Sequence, residues 1–347
     1  MKNLILCLVL FRNLLGNVDY LEVPSLKDTN ILAYKAGVRP YRKTGIRLEA
    51  EWYNKKLLIH NYGHGGAGLT LSWGSAQEVF NILNQEINAH KELDKEKTIA
   101  IIGGGIVGLC VADILLEHGY SVKMYAEKKY HETTSNVAAG FFGAFSVAIA
   151  DDEDKKQQFD RILKWSEKKL LELYESEDQC IKGITYTDFY IFNTENEQDT
   201  VHFSNGMEAT CRKKNKFIMK GPLYLESIFN KVAAHGAQII EKRFDTLNDI
   251  LGLPESIIIN CTGMGAKILF NDPDLIGIKG HLVHIEKNNF DVLIGNDGTD
   301  SFFIMPWEDR LVLGSRFVQE YDNDSCEIDI EQCCKVLELA RKFFNTK

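Results

Sequence analysis

Thr98-Ile99-Ala100-Ile101-Ile102-Gly103-Gly104-Gly105-Ile106-Val107-Gly108 decides how this chain folds. The apolar run Ile99–Ile102 reads as a buried strand, and the run that opens at Ile106 and continues to His118 has the length of a helix. Between them, Gly103, Gly105 and Gly108 have the spacing G-x-G-x-x-G. Gly103 permits a tight turn, Gly105 lets the backbone approach a pyrophosphate, and Gly108 lets helix and strand pack closely. The start of the helix, at Ile106 and Val107, supplies free N–H groups and positive potential to phosphate. Glu127 ends the next strand about twenty residues on, where an acid can accept ribose hydroxyls. The unit therefore predicts a dinucleotide site, and by itself leaves NAD and FAD equally open.

Outward from this unit, 347 residues suffice for about two domains, and 45% apolar residues suffice for a sizeable core. Ser121–Tyr125 and Ser256–Cys261 are further buried strands, and Ser75–Ala89, Lys155–Tyr174 and Leu223–Ala234 have helical spacing. Phe302–Met305 and Arg310–Gly314 alternate and fit an antiparallel sheet. The pattern predicts an α/β chain: a Rossmann-like domain plus an α+β domain with a mostly antiparallel sheet. His90–Lys97 is a charged linker. The net charge of −9 excludes a nucleic-acid protein, and the basic run Arg212–Lys216 is read as a solvated loop. Eight cysteines without a CxxC suggest neither zinc nor disulfides, and fit a reducing, cytoplasmic setting. Leu4–Phe11 lacks a cleavage pattern and is too short to span a bilayer, so a packed segment is expected over a signal, and no membrane partner is expected.

The segments after Glu127 and Lys128 resolve the cofactor by resemblance. Thr133-Thr134-Ser135-Asn136-Val137-Ala138-Ala139-Gly140 resembles the FAD-contacting segment of the D-amino-acid oxidase family, as does Asn260-Cys261-Thr262-Gly263. Ile59-His60-Asn61-Tyr62-Gly63-His64-Gly65-Gly66-Ala67-Gly68-Leu69-Thr70-Leu71-Ser72-Trp73-Gly74 is similar to that family's signature almost letter for letter. The resemblance implies FAD as cofactor, with Thr133 and Thr134 toward phosphate, Ser135 among the cofactor-binding residues, and Ala139, Gly140 and Phe141 near the flavin ring. It adds Phe244, Thr262 and Gly263, and the amides of Gly65, Gly66, Ala67, Gly68, Leu69 and Thr70 at the start of a helix, facing the ring. His60 and His64 have the spacing of a metal pair, but glycines surround them and no third ligand is evident, so no metal is expected.

Upstream, Gly37-Val38-Arg39-Pro40 resembles the family's Arg-Pro motif, which implies that Arg39 clamps a substrate carboxylate through a bidentate pair. Arg42 and Arg47 are read as strand-surface charges. The family's order is rotated here: the Arg-Pro and His-Gly-Gly blocks, which close its members, precede the glycine-x-glycine unit that opens them. The resemblance therefore reads as a circular permutation, joined at 90–97. It implies an FAD-binding domain over 58–150 and 220–270, and a substrate domain over 20–57, 151–219 and 271–340. Leu21–Lys27 and Glu331–Glu338 both resemble parts of one helical segment of the family.

The implied activity is that of an oxidase passing a hydride from a D-amino acid Cα to flavin N5, with molecular oxygen as the expected acceptor. Positioning matters more than acid–base groups in such a step. Two tyrosines of the family align with Phe303 and Thr299, so a carboxylate hydrogen bond is lost at those positions. Tyr186 and Tyr190 are read as strand packing and Arg316 as a surface charge. A dehydrogenase or amine oxidase of the same superfamily, and a degenerate FAD-binding protein, are the competing readings. The substrate's identity and the oligomeric state stay open, a homodimer being one option.

Overall fold

The computed structural model describes residues 18–95, 97–176, 180–298, 301–315 and 325–346. The apolar run Leu4–Phe11, Thr299 and Arg316 lie outside these residues. In chain order the strands are β1 (Val18–Leu21), β2 (Ile31–Arg42), β3 (Arg47–Tyr53), β4 (Lys56–Tyr62), β5 (Thr98–Ile102), β6 (Ser121–Ala126), β7 (Ile184–Phe192), β8 (Asp199–Phe203), β9 (Glu208–Met219) and β10 (Gln238–Glu241). They continue with β11 (Ile257–Asn260), β12 (Leu275–Glu286), β13 (Leu293–Asn296), β14 (Phe302–Pro306) and β15 (Arg310–Gly314). The longer helices are α1 (Gly68–Ala89), α2 (Ile106–Glu117), α3 (Glu153–Glu175), α4 (Gly221–Ala234) and α5 (Ile330–Phe344). None is long and apolar enough to cross a membrane.

Six strands form one sheet in the order β10-β6-β5-β11-β4-β3. The first five run parallel, which demands cover on both faces, and their side chains divide accordingly. Ile99, Ile101, Leu57 and Ile59 point into a core shared with α1 and α2. Ala100, Ile102 and Leu58 join Tyr125, Phe244 and Ile250 on the other face. Because the strands are parallel, the turns after β4, β5, β6 and β11 gather at one edge, where an open α/β sheet binds its ligand. β3, assigned from the sequence to the substrate domain, pairs antiparallel with β4 and closes this sheet instead.

The other nine strands form a mixed sheet in the order β1-β8-β9-β7-β13-β14-β15-β12-β2. Its face toward α5 buries Val283, Ile285, Leu311 and Leu313 against Cys333, Leu337 and Phe344. Alternation sends Leu282, Phe303, Met305 and Val312 to the opposite face, toward Phe141. The basic run Arg212–Lys216 is part of β9 rather than a loop, and Lys213 pairs with Asp19 of β1 at 2.8 Å and with Asp188 of β7 at 3.0 Å. Glu331–Glu338 lies in α5, whereas residues 22–27 are irregular rather than helical. These two regions nonetheless touch: Arg341 donates to the Leu26 carbonyl at 2.6 and 2.8 Å and pairs with Asp28. Lys91–Lys95 forms a short 3-10 turn that buries Leu93 between α1 and β5.

Candidate active site

A cavity of about 710 Å³ runs along the carboxyl edge of the six-stranded sheet and under the face of the nine-stranded one. That is within the range of a cofactor or ligand site. Gly103 (φ +112°) turns the chain after β5, and a Cβ there would meet the Cys261 carbonyl oxygen at 2.2 Å. Gly108 does not line the cavity. A Cβ on it would meet the Gly103 carbonyl oxygen at 2.1 Å, so its contribution is helix–strand packing. Gly103, Gly105, Ile106 and Val107 line the wall, and Ser135 Oγ already accepts the Ile106 N–H at 3.2 Å.

The chain after β6 forms the next part of the wall, with Glu127, Lys128, Thr133, Thr134 and Ser135. Thr133 Oγ1 donates to the Tyr130 carbonyl at 2.7 Å, leaving its lone pairs for a ligand. Glu127 is held by Arg243 at 3.0 Å, a residue the sequence reading missed because it follows a separate short strand. Phe244, Lys242 and Asp245 line the cavity beside it.

At the far end stands the turn that opens α1. Gly65 has φ +54°, and a Cβ on it would sit 2.0 Å from the Ser146 carbonyl oxygen, which the Gly66 N–H reaches at 2.9 Å. The loop at 143–146 thereby fits tightly over the glycines. Gly66, Gly68, Leu69 and Thr70 face the cavity, whereas Ala67 is buried and is not part of its wall. Thr70 Oγ1 donates to the Gly143 carbonyl and accepts its N–H. Ala139, Gly140 and Phe141 complete this end, together with Thr262 and Gly263 from the turn after β11.

Arg39 enters from β2. Gly37 and Gly280 are paired across β2 and β12, and the guanidinium lies over Gly280, whose added Cβ would be 2.7 Å from Nη2. No carboxylate among the described residues pairs with it, and burial pulls its pKa below the ordinary guanidinium value. An arginine remains protonated there, so among the described residues the guanidinium is a cation without a paired carboxylate. Arg42 and Arg47, by contrast, are engaged: Arg42 pairs with Asp272 at 2.8 Å, and Arg47 with Glu49 at 2.8 Å and Glu51 at 3.0 Å. They are parts of ion networks rather than bare surface charges.

Part of the cavity wall is aromatic. Phe303 packs its ring over Gly314 and stands 5.2 Å from the Phe141 ring. Tyr186 and Tyr190, read from the sequence as strand packing, do not line the cavity: Tyr186 is half exposed against Phe217, and Tyr190 donates to Asp19 at 2.9 Å. Two further polar residues do reach it. Asn61 and His64 are buried and line the wall, and both amide atoms of Asn61 and Nε2 of His64 have no partner among the described residues. Burial alone lowers His64 to a pKa of about 4, so its ring is neutral. Such orphaned polar atoms cost about 1–3 kcal/mol each unless a ligand or water meets them. They fit a polar ring system bound at this end, as the amides of α2 fit phosphate at the other. His60 and His64 do not converge, and among the described residues no group of ligands for a metal ion occurs.

Comparison with known proteins points the same way. Residues 208–347 match the family described as FAD dependent oxidoreductase. The chain is 30% identical over 213 residues to a D-amino acid oxidase of Dugesia ryukyuensis, covering 54% of this chain and 60% of that protein. The match is 23% over 259 residues to a D-amino-acid oxidase of Streptomyces coelicolor, covering 71% and 78%. The chain thus spans less than two thirds of the length of the first relative. In fold it is similar to glycine oxidase from Geobacillus kaustophilus, with a TM-score of 0.55 and 15% identity over 70% of this chain and 76% of the other.

Proposed function

We propose that the chain is an FAD-dependent oxidoreductase that oxidises the Cα–N bond of D-amino acids, giving an imino acid that hydrolyses to a 2-oxo acid and ammonia, a reading supported by its likeness to that family and to D-amino-acid oxidases. Bound FAD would supply the hydride acceptor, with oxygen as the proposed final acceptor, reduced to hydrogen peroxide. The observation that carries the reading is Arg39: a sheltered cation, without a carboxylate partner among the described residues, in the same cavity as the dinucleotide turn and the glycine turn of α1. A guanidinium there can grip an α-carboxylate with two parallel hydrogen bonds and fix which face of Cα is presented. Phe141 and Phe303 line the same cavity, and an apolar wall of that kind would strengthen an ion pair formed within it. At the opposite end, Gly103 and Gly105 with the α2 amides would hold the pyrophosphate, and Glu127, steadied by Arg243, the ribose hydroxyls.

The order of segments supports a circular permutation of the family's arrangement, since α1 ends beside the start of β5 and residues 26–28 pack on α5. Purified protein should carry a flavin spectrum that bleaches anaerobically with D-amino acids, and should release peroxide with them but not with L-enantiomers. Bound flavin that no D- or L-amino acid bleaches would defeat the reading. It would favour a flavoprotein without turnover, to which a phenylalanine in place of a tyrosine at position 303 points. Dye reduction without peroxide would assign the electrons to another acceptor.

A further inference from the structure

His60 is fully buried in β4, lies outside the cavity wall, and has no part in the chemistry above. Its ring nitrogens are both engaged. Nε2 is 3.0 Å from Glu51 Oε2, and Nδ1 is 3.0 Å from Asn260 Nδ2. Glu51 also receives Arg47 at 3.0 Å. Burial opposes its ionisation, but hydrogen bonds from His60 and Tyr53 hold its carboxyl below the usual range, so it can only accept. The His60 proton therefore sits on Nε2. Burial lowers the ring's pKa to about 4, which leaves it neutral with Nδ1 bare.

A bare Nδ1 dictates the next link. The NH2 of Asn260 must face it, because the carbonyl would oppose one lone pair with another. The Asn260 carbonyl then faces the other way, where it accepts from Thr262 N at 3.1 Å and Thr262 Oγ1 at 2.8 Å. Thr262 lines the cavity, and the carbonyl of its neighbour Cys261 is the atom against which Gly103 packs. The series Arg47, Glu51, His60, Asn260, Thr262 thus runs from the edge strand of the sheet to the cavity wall.

We propose that His60 is a positioning residue for the cofactor turn: its unprotonated Nδ1 selects the amide orientation of Asn260, which in turn fixes Thr262 on the cavity wall. The proposal rests on reading the cavity as the flavin site. Asparagine and glutamine divide the two functions of the ring, since an Asn carbonyl can stand where Nδ1 is, and a Gln amide where Nε2 is. His60→Asn should bind FAD within about threefold of the parent. His60→Gln keeps the Glu51 contact and should bind roughly tenfold more weakly, the worth of about one hydrogen bond.

Packing would give the opposite order, because Gln replaces the imidazole volume better than Asn. FAD affinity is read from the quenching of flavin fluorescence on titration, and the melting temperature of the flavin-free protein serves as the measure of fold. Equal affinities, or tighter binding by His60→Gln than by His60→Asn, would overturn the proposal. Failure of the parent chain to bind FAD would instead remove the flavin reading beneath it. Should a His60 variant not fold, Asn260→Asp carries the test. It is nearly isosteric but presents an acceptor to Nδ1, so it should weaken FAD binding by about tenfold, and unchanged affinity would overturn the proposal.

Discussion

Arg39 could be picked from its Arg-Pro motif, but the reason it can act is invisible in one strand. Gly280, some 240 residues away, clears the sheet for its guanidinium. Arg39→Lys keeps the charge and loses the fork, so KM should rise by about 10–100-fold while FAD affinity holds. Steady-state kinetics beside a flavin titration checks this, and a parallel loss of FAD affinity would tie Arg39 to the cofactor instead. His64 was weighed only as a metal ligand, because sequence does not reveal burial. Its pKa of about 4 lies below the ordinary 6.5 solely through burial. A depressed pKa contributes stability that is complete above pH 6.5 and is lost as pH falls toward 4, with a ceiling of roughly 3 kcal/mol. Urea midpoints of the flavin-free protein should therefore drop between pH 6.5 and 4, and His64→Gln should flatten that slope.

The elements with strong periodicity were legible: β5, α2, β6, β11 and α4 stand close to where the apolar runs put them. Elements set by remote pairing were not. Arg212–Lys216 has no strand signature, yet β7 and β8 flank it and supply Asp188 and Asp199 to its charges and amides. Residues 22–27 resemble a helical piece, but the register of β1 against β8 draws the preceding residues into a strand. The crossing of α1 and α3 was likewise hidden. Gly74 lets the helices meet so closely that a Cβ there would be 1.9 Å from the Ile162 carbonyl oxygen, and its N–H donates to Ser166 Oγ at 2.8 Å. Gly74→Ala must part the two backbones. A loss of about 1–3 kcal/mol or more is expected in chemical denaturation, and a midpoint equal to the parent's would show that α3 yields freely.

For the molecule as a whole, the two-sheet architecture follows from the dinucleotide unit and the alternating strands, while the order of its segments needed the resemblance. If the chain is a permuted form of its family's arrangement, its two described ends and the 90–97 connection are interchangeable openings. A chain opened within 90–97, with Thr346 linked to Val18 by a flexible tether and the first 17 residues removed, should fold and bind FAD within about threefold of the parent. An insoluble or flavin-free product beside a sound parent would argue that the present order is required. The pairing of β2 with β12 has a temporal side as well. Residues 31–42 leave the ribosome roughly 230 residues before their partner at 275–286. At about 5–20 residues per second, that is a delay of roughly 10–50 s. Throughout it the strand bearing Arg39 is an unpaired edge in a growing chain, so slower translation or scarce chaperone should lower the soluble yield of this protein more than that of a relative whose β2 and β12 segments emerge in succession.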